Sequence, residues 1–99
     1  MAEKIRAVVS ETAEHDLGEI LEFIQMDSPR SAKKLVRGTY SQLKKLPSFP
    51  KLGRIIPEIG DVRLREIIVG PYRLMYRLQN KRIIVLRVLH GKRLFSGEL

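Results

Sequence analysis

The hydrophobic period of this chain changes once, and that change limits the folds open to it. Between Glu11 and Leu46 apolar residues recur at helical spacing, whereas from Val62 to His90 they run in short segments cut by two turn dipeptides, Gly70-Pro71 and Asn80-Lys81. The helical part divides in two. Ala13, Leu17, Ile20, Leu21 and Ile24 form one stripe, with Glu14, Asp16, Glu19 and Glu22 on the other side and Ser10 or Thr12 as the cap. Ser28 followed by Pro29 then marks a second start, because proline has no N–H to lose at the first helical position. That second helix carries Ala32, Leu35, Val36, Leu43 and Leu46 on its apolar stripe, and Arg30, Lys33, Lys34, Arg37, Lys44 and Lys45 elsewhere.

Ahead of the helices, KIRAVVS at Lys4 to Ser10 reads as a strand. Behind them, the proline- and glycine-rich stretch PSFPKLGRIIPEIGD reads as a connection that Phe49, Leu52 and Ile55 pin to the core. Three strands follow, Val62 to Val69, Tyr72 to Gln79 and Arg82 to His90. The order β-α-α-β-β-β predicts an α+β fold, an antiparallel sheet with an N-terminal helical hairpin packed on one face. At 99 residues the chain is read as one domain, residues 1–99, around one core.

Composition narrows the chemistry. Lys and Arg number 19 against 11 Asp and Glu, so a charge of +8 draws the protein toward phosphate backbones or acidic partners. The absence of cysteine excludes a disulfide scaffold, a thiolate nucleophile and a cysteine zinc site, and with two histidines no metal site is expected. Gly91-Lys92 lacks the spacing of a phosphate-binding loop, so no cofactor is expected either. The first residues lack the apolar stretch of a signal peptide, and no apolar run approaches the roughly 20 residues that span a bilayer. The expectation is a cytoplasmic protein with no membrane contact.

Strand parity suggests where function sits. If Asn80-Lys81 is a two-residue loop, Arg73 opposes Val88 and Tyr72 opposes Leu89. One face then collects Tyr72, Leu74, Tyr76 and Leu78 with Ile83, Val85 and Leu89, apolar enough to lie under the helices. The other collects Arg73, Met75 and Arg77 with Ile84, Leu86, Val88 and His90. A turn at Gly70-Pro71 that pairs 67 with 73 and 65 with 75 adds Arg63 and Arg65 to that second face. On this reading four arginines converge on an open surface mixed with apolar residues, and His90, Lys92 and Arg93 rim it. Histidine there titrates near neutral pH and is a candidate acid or base. The plain alternatives are solvent-side arginines and a structural histidine.

The segment order, GRIIPE at Gly53 to Glu58, REIIVGPYRLMYR at Arg65 to Arg77 and VLRVLHGKR at Val85 to Arg93 together resemble the RelE/ParE superfamily of toxins from type II toxin–antitoxin systems, over almost the whole chain. The resemblance implies a cognate antitoxin, a toxin–antitoxin hetero-oligomer and a role in plasmid stabilization or growth inhibition. It also implies two targets. RelE-like members act as mRNA interferases on the ribosome, driving the ribose 2'-hydroxyl onto the adjacent phosphate without a metal, whereas ParE-like members poison DNA gyrase without cutting anything themselves. In the first reading, Arg73, His90 and Arg93 are the catalytic candidates and Arg63, Arg65, Arg77 and Lys92 bind RNA. RelE carries a tyrosine beyond the final arginine, where this chain has Leu94, Phe95, Ser96 and Gly97. Many ParE endings read His, Glu, Arg, Met, Asp, where this chain has His90, Gly91, Lys92, Arg93 and Leu94. The ending decides little between the two; ribosome-dependent cleavage is the first expectation, gyrase inhibition the second, and an inactive module that partners a DNA-binding antitoxin the third.

Overall fold

The computed structural model describes residues 5–99, so Lys4 of the expected first strand lies outside it. Strand β1 (Arg6–Val9) leads into helices α1 (Glu11–Asp27) and α2 (Pro29–Lys45), followed by β2 (Arg54–Ile55), β3 (Leu64–Val69), β4 (Tyr72–Gln79) and β5 (Arg82–His90). Ser10 caps α1 by accepting the Ala13 N–H, and Ser28 caps α2 by accepting the Ser31 N–H, with Pro29 just inside. In α2, Thr39 takes a buried place beside Ala32 and Leu35, while Val36, read as part of the stripe, is exposed.

The α+β reading holds, with a helical hairpin on one face of a five-stranded sheet of order β1-β5-β4-β3-β2. The sheet is mixed rather than wholly antiparallel: β1 lies parallel to β5, and the other pairs are antiparallel. The short β2 is a strand that the connection was not expected to contain. Asn80 adopts φ 48° and Gly70 φ 58°, the left-handed conformations that tight hairpin turns demand.

Register departs from expectation at two places. Gly70 and Pro71 are both loop residues, so Val69 opposes Tyr72, Ile68 opposes Arg73 and Arg65 opposes Tyr76. The pairing is one residue out from 67 with 73, and a one-residue slip exchanges the faces. Arg65 therefore leaves the arginine face and Glu66, which opposes Met75, enters it. In β5, Tyr76 opposes Val85 but Met75 opposes Arg87, a bulge that inserts Leu86. Beyond it Arg73 opposes Leu89 and Tyr72 opposes His90. Val88 thus joins the helix-side core, and Leu89 the far side.

Two cores result. Beneath the helices, Ala13, Leu46, Ile67, Leu74, Tyr76, Ile83, Val85 and Val88 pack together. On the opposite face a smaller cluster of Ile56, Met75 and Leu89 is closed by Ile59, Leu64 and Phe95. The far face is therefore not open along its length: the 56–60 turn and the C-terminal tail lie over one end of it. The residues expected to pin the connection, Phe49, Leu52 and Ile55, are exposed, and Ile56 does the pinning.

Candidate functional site

Arg73 occupies the centre of β4 on the far face, where an open sheet would leave it in water. Instead its side chain is 9% exposed. Its Nη1 and Nη2 donate to Glu58 Oε2 and Oε1 at 2.8 and 2.6 Å, and its Nε donates to Glu66 Oε1 at 2.7 Å. The wholly buried Glu66 carboxylate also accepts from Arg54, whose Nε and Nη2 both stand 2.7 Å from Oε2. The Phe95 ring lies 5.5 Å from the Arg73 guanidinium carbon. This is a buried ion cluster in which every Arg73 nitrogen is used, two of them in the fork geometry that fits a carboxylate. The Glu58 hydrogen bonds hold Arg73 firmly protonated. In return the Arg73 guanidinium lowers the Glu58 carboxyl to about 2.

The cluster forms because β2 and the GRIIPE turn fold back along β3. Gly53 permits the approach, since a Cβ there would meet the Glu66 carbonyl oxygen at 2.5 Å and the Tyr76 ring at 2.8 Å. Tyr76, fully buried, ties the same loop down: its hydroxyl donates to the Pro50 carbonyl at 2.8 Å and accepts the Gly53 N–H at 2.9 Å. Burial pushes the Tyr76 hydroxyl pKa up.

None of the other sequence candidates shares a hydrogen bond or ion pair with Arg73. Arg63 pairs with Asp61 through its side chain and backbone N–H, and hydrogen bonding to Arg63 lowers the Asp61 carboxyl. Arg65 donates to the carbonyls of Val62 and Gly53 at 3.0 Å each, so both arginines brace the loop. Arg77 stays on the far face and is exposed. His90, moved by the bulge, faces the helices instead: its ring meets Tyr72 edge-on at 5.3 Å, and its Nδ1 accepts the Lys92 N–H at 3.0 Å. It lines an apolar groove of about 660 Å³ with Phe23, Ile24, Leu35, Pro71 and Tyr72. Lys92 and Arg93 are exposed in the turn beyond β5.

Sequence reasoning missed Glu58 and Glu66 as partners of Arg73, although the carboxylates flank the arginine in the quoted motifs. It also missed Asp16, whose carboxylate accepts from Arg87 Nε at 2.7 Å and from the Val88 N–H at 3.1 Å, holding the bulge. Among the described residues no three His, Cys, Asp or Glu side chains group as a metal site would need. No described helix is long and apolar enough to cross a membrane.

The fold matches solved structures. It aligns with the chromosomal ParDE toxin–antitoxin system of P. aeruginosa at a TM-score of 0.72 and 22% identity, covering 90% of this chain and 98% of that one. It aligns with the RelBE2 toxin–antitoxin complex of Mycobacterium tuberculosis at 0.57 and 22%, covering 89% and 99%. Both alignments show one shared architecture, that of toxin–antitoxin structures. A sequence model of the ParE toxin of type II toxin–antitoxin systems, parDE, matches residues 7–95, and the chain belongs to that family. Toxin ParE3 of Caulobacter vibrioides is 34% identical over 61 residues, which are 60% of this chain and 58% of that protein's length.

Proposed function

We propose that this chain is the toxin half of a type II pair, held in the cytoplasm by a cognate antitoxin, and that it arrests growth by inhibiting DNA gyrase. The observation that carries this over mRNA cleavage is the commitment of Arg73. An RNase needs that guanidinium free to meet a scissile phosphate whose negative charge grows in the transition state. Here Glu58 and Glu66 already occupy all its nitrogens, two anions stand where a third must bind, and Phe95 lies against it. His90, the candidate base, faces the helix-side groove. A gyrase poison needs no general acid or base, so none of this hinders it, and the match to the ParE family model points the same way.

The deciding experiment measures supercoiling by purified gyrase at rising toxin concentration and maps mRNA ends in cells that express the chain. The expected result is blocked supercoiling with uncut mRNA. New mRNA ends within translated frames, with supercoiling intact, would overturn the reading and return Arg73, His90 and Arg93 to candidacy as an RNase site. Neither effect would leave the inactive module.

A further inference from the structure

The turn and tail that bury Arg73 cover only one end of the far sheet face. The other end, where β1, β5 and β4 run side by side, stays open. Ala7 and Val9 pack toward the helix-side core, so Arg6 and Val8 face away. Across the parallel pair Arg6 opposes Arg82 and Val8 opposes Ile84, and in the next strand Ile84 opposes Arg77. Three exposed arginines therefore share one surface, standing on a floor of Val8 and Ile84.

Among the described residues none of the three is in an ion pair, whereas Arg54, Arg63, Arg73 and Arg87 all are. Asp61 is within electrostatic reach of Arg77, but its hydrogen bonds go to Arg63, which holds it at 3.0 Å. Like charges directly opposite in a sheet repel, so among the described residues this end of the face carries positive charge that no ion pair offsets. Neighbouring strands lie about 4.8 Å apart, which puts the three guanidinium groups within reach of adjacent phosphates on one strand.

We propose that Arg6, Arg77 and Arg82 form a docking site for the phosphate backbone of duplex DNA. Guanidinium forks match phosphate oxygens bidentately, and the net charge of +8 steers a long polyanion toward them. The floor is aliphatic, with no ring on which an unpaired base would stack, so binding is to the backbone and is indifferent to sequence. The inference does not depend on gyrase being the target, because DNA binding by the chain alone is read without gyrase or growth.

The test is fluorescence anisotropy of the full-length chain with a labelled 20-base-pair duplex across a salt series. The triple variant Arg6→Gln, Arg77→Gln, Arg82→Gln is compared with a charge-matched control on α2, Arg30→Gln, Lys33→Gln, Arg37→Gln. Three phosphate contacts contribute roughly −2.7 to the slope of log affinity against log salt. The sheet triple is expected to lose about that much slope and at least roughly tenfold in affinity at low salt, and the control to lose much less. Equal losses in the two triples would make the effect one of net charge and overturn the site, as would no binding by the parent. Displacement of DNA by a poly-glutamate peptide at equal charge concentration would overturn it in favour of an acidic protein partner. Thermal melts accompany each variant; where the glutamine triple does not fold, the corresponding lysine triple is used, expected to keep the salt slope and bind several-fold more weakly.

Discussion

Replacing Arg73 by alanine is expected to act on stability before it acts on any function. The substitution removes a guanidinium that is 9% exposed and leaves the Glu66 carboxylate, which is wholly buried, with one partner instead of two. Breaking a buried pair by deleting one member costs about 3–5 kcal/mol. Arg54 still reaches Glu66, and the Glu58 side chain, 33% exposed, can rehydrate, so the lower end of that range applies. Loss of the contact with Phe95 adds about 0.5 kcal/mol. For a domain of this size a total near 3–4 kcal/mol corresponds to a melting temperature lower by roughly 15–25 °C. Chemical denaturation followed by circular dichroism measures it. A double-mutant cycle with Glu66→Met and Arg73→Met isolates the pair, and the double variant should be destabilised by at least about 1 kcal/mol less than the sum of the single changes. An Arg73→Ala protein within 1 kcal/mol of the parent, or an additive cycle, would refute the reasoning. The contrast is Arg93→Ala at an exposed turn, expected to change stability by less than about 0.5 kcal/mol. Lost toxicity in the Arg73 variant is thus a folding result unless the melt says otherwise.

The remaining expectations concern the same scaffold. The Glu58 carboxyl is depressed from 4.5 to about 2 in the fold, so its contribution to stability is complete above about 4.5 and disappears as pH falls through about 2. Glu58→Gln should flatten the acid limb of a stability–pH profile, and an unchanged limb would contradict the Arg73 pairing. Tyr76→Phe leaves the buried Gly53 N–H and the Pro50 carbonyl without a protein partner and should cost about 1–3 kcal/mol by urea denaturation. Asp16→Ala frees Arg87 and the Val88 N–H at the bulge, and hydrogen exchange should show the upper half of β5 opening more than β3.

Much of the architecture is legible in local pattern. The Ser28-Pro29 signature sets the boundary of α2 because capping and the missing proline N–H are local effects. The bounds of β4 and β5 follow from two loop dipeptides whose first residues, Gly70 and Asn80, tolerate positive φ. The placement of Tyr72 and Tyr76 under the helices also follows from period-2 alternation, with Tyr76 entirely buried. The RelE/ParE resemblance rests on motifs that these elements carry, and it agrees with the family match over residues 7–95.

What alternation could not supply is which residues share a face once the ladder slips. The β5 bulge has no glycine to announce it. It is held by Ser10, which donates its N–H to the Val85 carbonyl and its hydroxyl to that of Leu86, and by Asp16, which accepts from Val88, all contacts across more than 70 residues of chain. One inserted residue sends His90 to the helix-side groove, and one residue of register at Gly70-Pro71 exchanges Arg65 for Glu66. The sequence determined the elements and their order, because propensity, capping and turn chemistry act within a few residues. Only the tertiary structure decided that Arg73 is a buried ion-pair partner and that Arg6 and Arg82 join Arg77 on the open end of the far face, because charge pairing and burial depend on what the folded chain brings over each face.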